Sequence, residues 1–208
     1  MSTTGLAGCV LAGGLARRMG GGDKPLLPLA GETMLARVIS RLRPQVGPMV
    51  LNANGDAGRF AGFGLPVVPD PIEGFAGPLA GVLAGLRWVQ IHVPGADGMV
   101  SVAGDTPFFP EDLAARLLTT RGAEPDRIVL ARAGGHMHPV FGYWPVSAAD
   151  SLETFLREGT TRKVLAFVDR HPNASADFTP PPGAPDPFFN VNTPEDLKAA
   201  EDLVKAGA

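Results

Sequence analysis

The sequence predicts an α/β fold: a mostly parallel sheet covered by helices on both faces, in three αβα layers. Two observations predict it. Short apolar runs alternate with segments of helical period, the pattern of strands joined by covering helices. Those runs end in glycine, proline, asparagine or aspartate, the residues that turn a chain out of a sheet.

Leu6–Leu11 is a continuous apolar run that breaks at Ala12, Gly13 and Gly14, so it reads as a buried first strand. Met34, Leu35, Val38, Ile39 and Leu42 recur at helical spacing behind Thr33 as N-cap, and Pro44 stops that helix. Residues 49–51 are a second strand running into Asn52, Ala53 and Asn54, and residues 65–68 a third running into Pro69, Asp70 and Pro71. Pro78, suited to a first helical turn, opens an apolar helix that lasts to Val89. Residues 99–103 are a fourth strand ending in Gly104, Asp105, Thr106 and Pro107. A helix then starts at Pro110, Glu111 and Asp112, whose carboxylates suit the positive end of the helix dipole, and runs through Leu118.

Residues 128–131 and 139–143 are later strands parted by Gly134 and Gly135, and residues 147–156 and 162–168 are helices. The proline-rich stretch 180–187 is extended and linker-like but is not a domain boundary. Residues 188–191 and the helix from Pro194 are too short to fold alone and must dock on what precedes them. Thr193 and Asp196 have the spacing of a capping box, with Pro194 at the first helical position.

The 27 glycines and 21 prolines among 208 residues raise the question of disorder, but a hydrophobic content of 45% supplies a core. The glycines cluster instead of recurring every third residue, which excludes collagen. A net charge of −3 gives no basic stripe for a phosphate backbone, so no nucleic acid is expected as a partner. Cys9, the single cysteine, can make neither an internal disulfide nor a zinc cluster and reads as a small buried hydrophobe. No apolar run reaches the roughly 18 residues of a membrane span. Arg17-Arg18 follows an apolar run, where a twin-arginine signal would precede one, so the expected location is cytoplasmic, with no membrane partner.

The chemistry concentrates in residues 11–25. Gly13, Gly14, Gly20, Gly21 and Gly22 let backbone N–H groups approach an anion, while Arg17, Arg18 and Lys24 supply fixed positive charge. Together they form a polyphosphate cradle behind a strand, at the edge where open parallel sheets take their ligands. A Walker A loop is excluded, because Asp23 precedes Lys24 and Pro25 follows it, where a hydroxyl would hold magnesium. A dinucleotide fingerprint fails too, since Gly-x-Gly-x-x-Gly does not occur there.

Leu11-Ala12-Gly13-Gly14, Arg18-Met19-Gly20-Gly21 and Asp23-Lys24 together resemble the signature loop of nucleotidyltransferases related to the bacterial molybdenum cofactor guanylyltransferase. Further blocks agree in order: Asn52-Ala53-Asn54, Asp70-Pro71, Gly77-Pro78-Leu79-Ala80-Gly81, Gly104-Asp105-Thr106-Pro107, His138-Pro139, and Asn190 through Leu197. They cover almost the whole chain.

The resemblance implies a Rossmann-like sheet of the nucleotidyltransferase type in a single domain over residues 1–208. The nucleotide-binding half falls at about 5–107 and the acceptor-binding half at about 108–208. It also implies Mg2+-dependent transfer of GMP from GTP to the terminal phosphate of molybdenum-bound molybdopterin, giving molybdopterin guanine dinucleotide and pyrophosphate. Substrates are then GTP and molybdenum-molybdopterin, with transient contact to molybdenum cofactor insertion proteins. A CTP-dependent or sugar-phosphate relative, and a noncatalytic nucleotide-binding module, stand as the alternatives.

In-line attack on the α-phosphorus develops negative charge on phosphate oxygens, so such a site needs cations more than covalent chemistry. Arg18 and Lys24 are expected to supply them, with Arg17 as the alternative to Arg18, and Asp105 stands at the family's magnesium position. The nucleotide is expected to meet Leu11, Ala12, Gly13, Gly14, Arg18, Gly21, Gly22, Lys24, Asn52, Asp70, Gly77 and Asp105. Guanine's N1–H and amino donors suit a carboxylate, so Asp70 or carbonyls near Gly77 would read the base; otherwise Asn52 and Asp70 only fix their turns. Asn190 and Asn192, two apart on extended backbone, point one way and are expected to bind the acceptor, unless Asn192 merely precedes the helix cap. His136 and His138 lack an evident third ligand, and His138-Pro139 reads as loop or acceptor contact in preference to metal.

Overall fold

A computed structural model describes residues 5–13, 23–72 and 77–207. β1 (Leu6–Leu11) is followed by a hairpin of β2 (Pro28–Leu29) and β3 (Glu32–Thr33), then by α1 (Met34–Leu42), β4 (Met49–Asn52) and β5 (Val67–Val68). α2 (Pro78–His92) and β6 (Gly98–Ala103) complete the first half. The second half holds α3 (Leu113–Arg121), β7 (Ile128–Ala133), β8 (His136–Pro145), α4 (Ala149–Glu158), α5 (Val164–Val168), β9 (Asn173–Asp177) and α6 (Pro194–Lys205).

Seven strands form one sheet in the order β5-β4-β1-β6-β8-β7-β9. β8 runs antiparallel to both its neighbours and the remaining neighbours pair in parallel. On one face, α1 and α3 contribute Leu35, Val38, Leu42, Leu113 and Leu117 to a buried core; on the other, α2, α4 and α5 contribute Leu79, Leu83, Leu86, Leu152 and Phe167. A strand buried on both faces has no polar side to show, which is why β1 reads as an unbroken apolar run, β4 is apolar up to Asn52 and β6 is interrupted only by Ser101. The expected three-layer α/β architecture is the one observed.

Several elements differ from the sequence reading. The β2–β3 hairpin escapes it because its turn uses Ala30 at φ +49° before Gly31 at φ +90°, and alanine carries no left-handed signature. The third strand shrinks to Val67–Val68, and Ala57–Phe63 forms a 3-10 segment that buries Phe60. Residues 110–112 lie before α3, whose first turn is met by Gln45: its Oε1 accepts from Ala114 N at 3.0 Å. The short α5 begins only at Val164. β9 is an outer strand with little apolar content, so its sequence carries no strand period.

β8 extends over His136–Pro145, so His138 and Pro139 belong to a strand and not to a loop. Pro139 cannot donate to a ladder, and the pairing skips there: Leu130 faces Gly142 while Ala131 faces His138. The displaced Val140 carbonyl accepts from Ser101 Oγ at 2.5 Å, and Ser101 Oγ in turn accepts from Trp144 Nε1 at 2.8 Å. α6 docks through Ala200, and the segment before it through Val191, against Leu29 and Met34, under the capping box of Thr193 and Asp196. Among the described residues no helix is long and apolar enough to cross a membrane.

Candidate active site

The carboxyl ends of β1, β4 and β6 meet at a cavity of about 450 Å³. Backbone hydrogen bonds hold the strand exits together: Ala12 N donates to Asn52 O and Gly104 N to Leu11 O, each at 2.9 Å, and Ala53 N to Val68 O at 3.1 Å. Of the residues singled out from sequence, Leu11, Ala12, Gly13, Asn52, Asp70, Gly77, Asp105 and Asn190 line this cavity. Gly14, Arg17, Arg18, Gly21 and Gly22 lie outside the described residues.

Lys24 opens a 3-10 turn with Pro25, tied by Leu26 N donating to Asp23 O at 2.9 Å, and this turn aims its side chain across the sheet edge. The residue is 7% exposed. Its Nζ donates to Asp105 Oδ2 at 2.6 Å, to Asn192 Oδ1 at 2.6 Å and to Asn190 Oδ1 at 3.0 Å. The sequence reading assigns the two asparagines to the acceptor, but their oxygens are taken by Lys24. The amino end of each amide points away from that contact and remains for another partner. Residues 188–191 are not a strand, yet Asn190 and Asn192 still converge, because Val191 between them is fully buried and its N–H donates to Asp105 O at 3.1 Å. Asn192 is fixed from behind, its N–H donating to Asp196 Oδ2 at 2.8 Å. That bond, helped by the N–H and hydroxyl of Thr193 and the charge of Lys24, lowers the carboxyl pKa of Asp196 despite partial desolvation.

At the opposite wall, Asp70 accepts from Asn52 Nδ2 at 3.0 Å and from Asn54 Nδ2 at 2.8 Å, and its own N–H donates to Asn54 Oδ1 at 2.8 Å. Asn52 also donates to Val68 O at 3.2 Å. These bonds do fix the turns after β4 and β5; each carboxylate oxygen keeps a further lone pair for a donor from the cavity. α2 presses against Asn52 through Gly81, where a Cβ would fall 2.3 Å from Asn52 Oδ1 and 2.9 Å from Leu11 Cδ2.

Sequence reasoning missed Asn54 as a cavity residue, along with Asp23, Arg59 and Val140, all of which line the same space. Arg59 Nε stands 2.8 Å from Asp23 Oδ2, off the line of a good hydrogen bond, so the contact is mainly Coulombic. Its Nη2 donates to Asn54 O at 2.6 Å, and the guanidinium lies over the Phe60 ring at 4.8 Å. Arg59 thus braces the residue preceding Lys24 against the segment after β4. An arginine between Gly58 and Phe60 in a 3-10 segment has no periodic signal, which is why only the folded chain reveals it.

His138 stacks on Phe188 with ring centroids 4.3 Å apart, and burial pulls its pKa below the usual imidazole value. Among the described residues no three His, Cys, Asp or Glu side chains gather as a metal cluster. Asp105 with the Asn190 and Asn192 carbonyls is nevertheless an all-oxygen set, the kind a hard divalent cation takes when phosphates and water complete its shell. Cys9 is fully buried, and desolvation, with the Asp70 charge adding to it, pushes its thiol up to about 12.

Residues 8–174 match the family model described as the MobA-like NTP transferase domain. The chain is 55% identical over 202 residues to a molybdenum cofactor guanylyltransferase of Bradyrhizobium sp. (strain ORS 278), covering 97% of this chain and 94% of that protein. It is 53% identical over 194 residues to one from Rhodopseudomonas palustris (strain BisB5), covering 93% and 91%. Its fold is similar to a crystal structure of molybdopterin-guanine dinucleotide biosynthesis protein A from Archaeoglobus fulgidus, with a TM-score of 0.75 at 26% identity, covering 96% of this chain and 99% of that one. With a buried lysine paired to a strand-end aspartate beside a cavity at the carboxyl edge of a mostly parallel sheet, the chain belongs to the MobA-like NTP transferase family.

Proposed function

We propose that the protein transfers GMP from GTP to the terminal phosphate of molybdenum-bound molybdopterin, releasing pyrophosphate and forming molybdopterin guanine dinucleotide. The observation that carries this reading is the convergence of Lys24, Asp105, Asn190 and Asn192 at the rim of a cavity of about 450 Å³. An acceptor phosphate oxygen attacks the α-phosphorus in line, and the bond to the β-phosphate oxygen breaks. Charge grows on the nonbridging and leaving oxygens, where preorganised cations act most strongly. Lys24 supplies one such cation, and Arg18, with Arg17 as its alternative, supplies another from the glycine-rich loop of Gly14, Gly21 and Gly22.

Nucleotidyltransferases generally act with a divalent metal, and Asp105 is the carboxylate to hold Mg2+ here, with Asn190 and Asn192 contributing neutral oxygens beside it. The bound ion would neutralise phosphate charge. Leu11, Ala12, Gly13, Asn52 and Gly77 border the nucleotide, and Asp70, held by Asn52 and Asn54, receives the guanine donors. The Asn190 and Asn192 amino groups face the acceptor. In this reading residues 5–107 bind nucleotide and residues 108–208 bind acceptor within one domain. The reaction takes place in the cytoplasm, and product passes by transient contact to molybdenum cofactor insertion proteins.

Pyrophosphate release with the molybdenum-pterin acceptor, Mg2+ and each of GTP, CTP, ATP and UTP tests the assignment, and GTP is expected to be preferred. Preference for CTP would move the protein to the cytidylyl branch, and no turnover with any nucleotide would leave a binding module. Arg59→Ala is expected to raise the KM for GTP about tenfold and to change kcat by no more than about twofold, since it braces Asp23 and contacts no reacting atom in this reading. A fall in kcat with KM unchanged would place Arg59 in the transition state instead.

A further inference from the structure

Lys24 and Asp105 are assigned to different partners in the reaction, the lysine to phosphate and the aspartate to a divalent cation, yet each holds the other. An ammonium has three hydrogens, and three oxygens stand at 2.6, 2.6 and 3.0 Å from Lys24 Nζ, so no donor is left for a phosphate in this arrangement. One carboxylate and two amide carbonyls converging on a point also form an oxygen set that suits a hard cation, and a single positive charge now sits there.

The ring and its occupant differ in mobility. Asn192 N and Thr193 N donate to Asp196 Oδ2 at 2.8 and 2.9 Å, and Val191 N donates to Asp105 O at 3.1 Å, so backbone bonds hold the asparagines in place. Lys24 reaches the ring on a four-carbon stem that rotates freely once its partners are taken.

We propose that Lys24 is an exchangeable counterion of the cation site. It fills the ring of Asp105, Asn190 and Asn192 while no divalent cation is bound, leaves when one arrives with the nucleotide, and turns its freed ammonium to the phosphates. Asn190 and Asn192 are then ring residues through their oxygens, a role distinct from acceptor contact through their nitrogens. The inference rests on the guanylyl-transfer reading only for the nucleotide's identity. A cation arriving alone must evict a paired ammonium that has nowhere to go, so cation and nucleotide load together.

Mn2+ binding to the nucleotide-free protein, read as loss of the free-ion EPR signal, tests this. Lys24→Met is expected to bind Mn2+ about tenfold tighter than the parent. Adding Asn190→Ala and Asn192→Ala to Lys24→Met is expected to reverse most of that gain. No gain in Lys24→Met would mean the lysine does not compete for the site. A gain that survives loss of both asparagines would mean its charge acts from a distance on a site elsewhere, and either result overturns the proposal.

The parent protein supplies a test that needs no variant. The side-chain ¹H–¹⁵N signal of the Lys24 ammonium is expected to change over the Mg2+ range that loads a nonhydrolysable GTP analogue, and an unchanged signal at saturation refutes the exchange. Failure of GTP in the nucleotide series with the Mn2+ result intact removes only the guanylyl assignment. GTP turnover without the Mn2+ result removes only the exchange.

Discussion

Asp105→Asn is expected to lower turnover about a thousandfold or more while the protein stays folded. The amide keeps the shape of the carboxylate and can still accept from Lys24, so the change isolates charge from geometry. Lys24, 7% exposed, would face three neutral oxygens in place of two and an anion. Losing the charged member of that set costs about 1–3 kcal/mol, tolerable against a typical 5–15 kcal/mol of folding stability. Pyrophosphate release at saturating Mg2+ and GTP, with a thermal unfolding curve, separates the two effects. Near-parental turnover in a folded protein would remove Asp105 from the metal role.

Gly81→Ala is the second large effect, and it acts from behind the site. Its Cβ would stand 2.3 Å from Asn52 Oδ1 and 2.9 Å from Leu11 Cδ2, closer than real carbon contacts allow. Asn52 cannot yield cheaply, because its amide already donates to Val68 O and to Asp70. Either α2 moves off the sheet or Asn52 turns and releases Asp70. We expect a stability loss of about 1–3 kcal/mol and a KM for GTP raised about tenfold or more.

Gly85, one turn further along α2, serves as the control. A Cβ there would meet Met99 Sδ at 2.6 Å and Cys9 Sγ at 2.8 Å, in the core and away from the cavity. Gly85→Ala is expected to cost comparable stability with KM for GTP within about twofold of the parent. Denaturant unfolding and steady-state kinetics on the pair decide it. Equal KM effects from the two variants would mean that Gly81 acts through general loosening and not through Asn52.

The parallel strands and their helices were legible because burial on both faces leaves a local trace: an unbroken apolar run at 6–11, one broken only by Ser101 at 99–103, and helical spacing from Met34 to Leu42. β9 and the Ala30-Gly31 hairpin left none, one being a mostly polar outer strand and the other using alanine at positive φ. The direction of β8 was equally hidden, since side-chain alternation is the same whichever way a strand runs. Arg59 was invisible for a different reason: its value lies in Asp23 and Asn54, and neither neighbour in sequence hints at the contact.

By itself the sequence determined the architecture and the edge on which ligands are expected, because strand exits rich in glycine, asparagine and aspartate are local features written in consecutive residues. Only the tertiary structure decided what those residues do to one another. Lys24 finds Asp105 across 81 positions, Asn190 across 166 and Asn192 across 168. Hydrogen bonds over such separations depend on where the folded sheet brings its strand ends and how α6 docks beneath them, and no periodicity in the chain encodes that.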